Sequence, residues 1–269
     1  MKKEMVMWLI VAVLVVGLLL GTQKAETMAI NFDGTGDYIK FTTVAAWNNL
    51  TTMSVCFWTK PTSLPDISSP FDFVLAKRFG DGSNGGWNAS QGDAYSVANT
   101  VLFGNNFATG YGRWTAPANS LEVGVVKSVC ITYDRSSAAN DPIIYIGGES
   151  VLVTEQSEPV GVVVDDAGAD LYLGGFEYAT TYTIDGIVYD SRLYNRIITP
   201  AEALQYHNAR GRDNIRNGLV FCPFLMGAKG LQAFDGATLA AGNTIVDPCS
   251  GAVGVPAGNP VGVGETYLR

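Results

Sequence analysis

The sequence predicts an all-β fold: two antiparallel sheets packed as a sandwich with one short helix, preceded by an apolar helix at the N-terminus. Three observations predict it. The 269 residues include 31 glycines and only 16% charged side chains, against about a quarter in an ordinary domain. That composition suits short strands and tight turns. Apolar residues recur at a spacing of two in short runs bounded by Gly, Pro, Asn and Asp. Helix start signals converge at one place, Thr199-Pro-Ala-Glu202, a capping box with proline at the first helical position. The length allows one large sandwich or two small domains.

The elements follow in order. Lys2 and Lys3 precede an apolar run from Met5 to Gly21 and a polar stretch to Thr27. This is the pattern of an export signal or a membrane anchor over residues 1–27. No A-x-A cleavage site follows, and the run of about 17 residues is at the short limit for a span, so both readings stay open. Ala29 to Phe41 reads as strand, Gly turn, strand. Met53 to Thr59 alternates, with Val55, Phe57 and Thr59 on one face and Cys56 and Trp58 on the other, until Lys60-Pro61 ends it. Residues 62–120 read as loop-rich, with strands at Phe73–Ala76 and Ala94–Ala98 around the Gly-rich excursion Gly80–Trp87. Gly124–Tyr133 is a strong strand, and Pro142–Ile146 returns after a polar loop. Ser150–Thr154, Leu171–Gly174 and Ile184–Tyr194 are further strands. The helix runs from Thr199 through Tyr206 and stops near Gly211; Gly218–Phe224 reads as a strand, and Gly/Ala/Pro-rich coil fills most of the remainder. The expected organisation is a sandwich over residues 28–217 and a tail, 218–269, packed on it.

The net charge is −8 and the isoelectric point about 4.6. An acidic surface repels phosphates, which argues against a nucleic-acid partner. It suits a soluble exported surface, or carboxylate sites for a hard cation. Four cysteines in an exported chain permit two disulfides, with buried free thiols as the alternative. Cys222 and Cys249 are the only cysteines of the tail, and Cys56 and Cys130 each point away from the apolar face of their strand, so these are the candidate pairs.

Three stretches together resemble the laminin-G-like, concanavalin-A-like jelly-roll family. Ile30-Asn-Phe-Asp-Gly-Thr-Gly-Asp-Tyr-Ile39 is similar to its opening hairpin. Met53–Pro61 and Val126–Asp134 are similar to its two central strands. Tyr182 to Arg196, with Thr199–Glu202, is similar to its last strand and following helix turn. The resemblance covers residues 29–210. The tail motifs, Gly218–Phe224, Val246–Gly251 and Tyr267–Arg269, are similar to tails on such domains in phage and environmental virus proteins. The sequence departs from the family at Val126-Lys127, where an aromatic/His pair is usual, and at Ser250-Gly-Ala-Val, where the tail has Ser-Gly-Asn-Gly.

The resemblance implies a jelly-roll sandwich and frames the search for chemistry. Glycoside hydrolases share the fold and need two flanking carboxylates. The E-x-D-x-x-E strand of the laminarinase-like branch is missing here, and Glu149, Glu155 and Glu158 have the wrong spacing. A serine triad needs a base, and the single histidine, His207, falls on an exposed helix. Family members often hold Ca²⁺ at one rim, and Asp165, Asp166 and Asp170 share one loop before a strand, so these are the metal candidates. Glycan binding needs exposed rings to stack on sugars. Trp87, Tyr111 and Trp114 lie in Gly- and Asn-rich sequence and are the ligand-binding candidates. The expected function is a non-enzymatic recognition module at a cell or virion surface, binding glycan or protein. The alternatives are a self-assembling, capsid-decorating subunit and, behind it, a glycoside hydrolase. If uncleaved, residues 5–21 hold it to a membrane.

Overall fold

The computed structural model describes residues 29–65, 72–79, 85–178, 180–210, 212–224, 238–239 and 243–263. The signal peptide or anchor expected over 1–27 lies outside these residues. Among them, no helix is long and apolar enough to cross a membrane.

Seventeen strands and one α-helix make up the described fold. The chain opens with β1 (Ala29–Asp33), β2 (Tyr38–Phe41) and the long β3 (Thr52–Pro61), and continues through β4 (Asp72–Arg78), β5 (Trp87–Ala94), β6 (Val97–Asn106) and β7 (Tyr111–Thr115). Next come β8 (Lys127–Asp134), β9 (Ile143–Ile146), β10 (Glu149–Val151), β11 (Thr154–Ser157), β12 (Asp170–Leu173) and β13 (Asp185–Tyr194). Helix α1 (Pro200–Ala209) precedes β14 (Leu219–Phe221), β15 (Ile245–Val246), β16 (Val253–Ala257) and β17 (Val261–Val263). They form two antiparallel sheets. The eight-stranded sheet runs β10-β9-β8-β3-β13-β1-β17 with β14 also paired to β13; the nine-stranded sheet runs β11-β7-β6-β5-β4-β12-β2-β16-β15.

One continuous core fills the space between the sheets. Phe32, Phe41, Val55, Phe57, Trp87, Phe103, Trp114, Ile131 and Leu173 are among its buried members. Alternation along each strand places these residues on one face and polar or smaller neighbours on the other. The outer face of the eight-stranded sheet is covered in turn by α1. Trp58, Tyr145 and Tyr206 pack there around Cys56 and Cys130. These two cysteines are direct cross-strand partners on β3 and β8 and form a disulfide spanning 74 residues. Cys222 and Cys249 form a second, spanning 27. On a chain-entropy account the two contribute roughly 4 and 3.5 kcal/mol. The helix starts as its capping box requires, with Glu202 N–H donating to Thr199 Oγ1 at 3.2 Å and Thr199 N–H to Glu202 Oε2 at 2.8 Å. It ends where Arg210 turns left-handed at φ 49°.

Three expectations are corrected. Residues 62–120 are not mainly loop: they hold β4 to β7, four adjacent strands of the nine-stranded sheet. Their outward positions include Asn88, Ser90, Gly104 and Arg113, which in sequence imitate a loop. Ala94–Ala98, expected as a strand, is the hairpin turn between β5 and β6. Tyr95 and Ser96 sit at φ 53° and 65° between the paired Ala94 and Val97, as a two-residue type I′ turn demands. The Gly/Ala/Pro-rich segment after Phe224 is also not all coil, since it supplies β15, β16 and β17. In β16 the usual pattern is inverted: Gly254 and Pro256 face inward, and Val253 and Val255 are exposed. The space a Cβ at Gly254 would need is taken by the Phe41 ring, 2.5 Å away.

Candidate functional site

Strand β7, Tyr111-Gly-Arg-Trp-Thr, separates the inward from the outward candidates. Trp114 and Gly112 turn inward, and Trp114 packs so closely that a Cβ on Gly112 would meet its ring at 2.3 Å. Alternation then sends Tyr111 and Arg113 to the outer face of the nine-stranded sheet. Tyr111 lies across β6 at Gly104, where a Cβ would fall 2.6 Å from its ring and hydroxyl. Its hydroxyl donates a short hydrogen bond to Asn88 Oδ1 on β5 and accepts one from Arg78 on β4 at 3.4 Å. Asn88 passes the chain on to Ser90 Oγ at 2.7 Å. The Arg113 guanidinium stacks 4.5 Å from the Tyr111 ring centre and 5.3 Å from that of Tyr95. Arg78 sits 5.6 Å from both Phe73 and Phe176. Burial pushes the Tyr111 hydroxyl above the usual phenol range, and the two arginines only partly offset this. It therefore stays a neutral donor and acceptor. This face offers rings and guanidinium groups in a fixed arrangement, held from beneath by the fully buried Asn88, which is the equipment for noncovalent recognition.

Of the three expected ligand-binding aromatics, only Tyr111 belongs to this surface. Trp87 and Trp114 are corrected: both are 0% exposed. Trp87 is an inward residue of β5, paired with Lys77 and Asn105. Trp114 packs against Phe103 and Tyr133, and its indole N–H donates to Asp141 at 2.7 Å. Neither ring can stack on a ligand without unfolding the sheet. Arg78, Asn88, Tyr95 and Arg113 are not legible as neighbours while residues 62–120 read as loop-rich. The signal was the Tyr-x-Arg alternation around an inward Trp.

The three candidate metal ligands do not converge. Asp166 is fully buried and joined to Lys77 at 3.3 Å and Arg135 at 3.0 Å. Asp170 pairs with Lys40 at 3.2 Å and accepts from Thr43 N–H at 3.0 Å. Asp165 accepts from the Ala167 N–H and from Asn49 Nδ2, at 2.9 and 2.8 Å, and these bonds hold its carboxyl below the usual range. The carboxylates are committed to cations and loop amides, so the loop is an ion-paired brace. Among the described residues the one grouping with metal-ligand proximity is Cys222, Asp247 and Cys249. Its two sulfurs are bonded to each other, and Asp247 accepts from the Cys222 and Ser250 N–H groups.

A cleft of about 520 Å³ opens at the rim between the 49–51, 135–138 and 161–165 loops, with Phe107 and Arg135 in its lining. His207 is not free on its helix. Its ring stacks on Trp58 at 5.4 Å, and Nδ1 lies 2.8 Å from Ser128 Oγ, which gives it a packing role.

A family model described as the concanavalin A-like lectin/glucanases superfamily matches residues 33–203. Among solved structures, the chain is similar to a heptameric SAP-like pentraxin from Limulus polyphemus, with a TM-score of 0.60 and 14% identity over 90% of this chain and 97% of that one. It is also similar to a candidate carbohydrate binding protein from Bacteroides ovatus, with a TM-score of 0.60 and 18% identity over 89% of this chain. This chain spans 60% of the length of that Bacteroides protein. At these identities the likeness is one of fold. No curated protein matches the chain.

Proposed function

The chain belongs to the concanavalin A-like lectin/glucanases superfamily, and from that premise we propose that it is a non-catalytic module that binds glycans on the outer face of its nine-stranded sheet. The observation that carries this reading is the Tyr111–Arg113–Tyr95 stack with Arg78 and Asn88 beside it. Sugars present a ring face and many hydroxyls; the rings match the first and the guanidinium groups the second. The similarity to a candidate carbohydrate binding protein supports the reading at the level of fold. The absence of the E-x-D-x-x-E strand from the sequence supports binding over hydrolysis. Two disulfides support folding in an oxidising compartment, and so export. In the test, the full chain is screened against immobilised glycans and its hits are repeated with Tyr111→Ala. A loss of about tenfold or more in affinity, about 1.4 kcal/mol, with a little-changed melting point, is expected. Unaltered affinity would move the recognition surface elsewhere.

A second reading, self-association at a cell or virion surface, draws on exposed apolar residues, among them Val162 in the lining of the rim cleft. Leu152 is 78% and Val162 75% exposed, with Val160 between them in the fold's outer loop. Sedimentation of the wild type against Leu152→Ser/Val162→Ser tests it. A monomeric wild type removes the reading.

A further inference from the structure

The face around Tyr111 carries two positive charges in a chain whose net charge is −8. Among the described residues, neither Arg78 nor Arg113 has a carboxylate within ion-pairing reach. The recorded ion pairs engage Lys40, Lys77, Arg135, Arg192 and Arg196 instead. Arg78 and Arg113 both act on the Tyr111 hydroxyl, and Arg113 acts on that of Tyr95. Both guanidinium groups are also partly dehydrated already: the Nε of each is buried with no hydrogen-bond partner. Asn106, on the same side of β6 as Gly104 by alternation, holds a third buried donor nitrogen without a partner. The unmet polar atoms of this face are therefore all donors.

An arginine held this way differs from a mobile surface cation. Its plane is fixed by the rings on which it rests, part of its desolvation has occurred before any ligand arrives, and its fork matches the spacing of oxygens on a carboxylate or sulfate. A neutral sugar would leave the two charges uncompensated in that setting; an anionic one would not.

We propose that the module's ligand is an acidic glycan, a saccharide bearing a carboxylate or a sulfate, whose anionic group docks on Arg113 and Arg78 while a sugar ring lies along Tyr95. The proposal rests on the glycan-binding reading and narrows it to a chemical class. Tyr95, 41% exposed at the tip of its type I′ turn, is the ring that water reaches. Tyr111 serves as the floor joining the two arginines.

The test titrates the full chain by calorimetry with an oligogalacturonate, its neutral methyl ester and a sulfated oligosaccharide, each at low and at physiological salt. The expected result is binding of an acidic probe that weakens with salt, with the methyl ester at least about tenfold weaker than the free acid. Arg113→Gln, and the double variant Arg78→Gln/Arg113→Gln, should bring acid and ester to equal affinity. The single variant keeps the test decisive if the double variant does not fold. Equal affinity of wild type for acid and ester, or acid binding unchanged in both variants, overturns the acidic class and leaves the glycan-binding reading standing. Hits confined to neutral glycans in the immobilised screen do the same. Failure to bind any glycan at all overturns both.

Discussion

Arg192 grips Asp190, two residues earlier on the same strand, through Nε at 2.8 Å and Nη2 at 2.7 Å. The grip closes a bulge. Asp190 sits at φ 41°, and the register of β13 against β3 slips between Tyr189 and Arg192. The remaining guanidinium nitrogen donates to Asp213 at 2.7 Å, and the Tyr206 hydroxyl of α1 donates to the Asp190 carbonyl at 2.8 Å. One buried arginine thus ties together the bulged strand, the helix and the segment that follows. Arg192→Met leaves two buried carboxylates without their cation and is expected to cost about 3–5 kcal/mol. Urea unfolding measures it. Adding Asp190→Asn and Asp213→Asn should recover part of the loss, and a triple variant as weak as the single one would show that packing, not charge, sets the cost.

Asp72 gives the protein a pH dependence of defined sign. It opens β4, where burial first and the nearby Asp185 second push its carboxyl up to about 8. In the unfolded chain it titrates near the ordinary aspartate value of about 3.9. The folded state therefore holds the proton more tightly. The stability this group adds is fully present below about pH 4 and falls as pH rises toward about 8, by roughly 1.4 kcal/mol per unit within that window. Asp72→Asn should match the wild type near pH 4 and melt at a higher temperature near pH 9. Parallel melting curves across the range would mean that Asp72 titrates normally.

Trp114 separates core from surface. Its removal as Trp114→Ala is expected to cost about 3–5 kcal/mol, because the cavity lies between Phe103 and Tyr133 and because Asp141 loses its donor. Binding per folded molecule should survive. Calorimetric melting together with a titration of the folded fraction distinguishes this from a residue that touches ligand, whose loss would weaken binding without lowering the melting point.

The long alternating runs were legible in the sequence. Met53–Thr59 showed its apolar face and the opposed face of Cys56, and the capping box at Thr199 marked the helix start. What stayed hidden was any strand whose alternation is not apolar against polar. In β5 the inward Ala89 alternates with Asn88 and Ser90; in β16 the inward residues are Gly254 and Pro256. Such patterns acquire meaning only from a partner across the sheet, such as Phe41 over Gly254 or Tyr111 over Gly104. The same omission put two buried tryptophans, Trp87 and Trp114, among the candidate ligand-binding residues. With β7 unseen, Trp114 and Tyr111 looked equivalent, although a shift of three residues along a strand puts them on opposite faces. The Asp165, Asp166 and Asp170 cluster misled for a related reason: sequence shows three acids together, but not the Lys77 and Arg135 that reach Asp166 from distant strands.

The pairing of Ala29 with Val263, at the start of β1 and the end of β17, brings the two ends of the described fold side by side. Tension applied between the two ends would part these antiparallel strands hydrogen bond by hydrogen bond, peeling β17 before it loads β13. Pulled from one end only, the sandwich would bear the load as a whole and swing on its tether. The face built around Tyr111 belongs to the other sheet, away from the pair that tension between the two ends parts first.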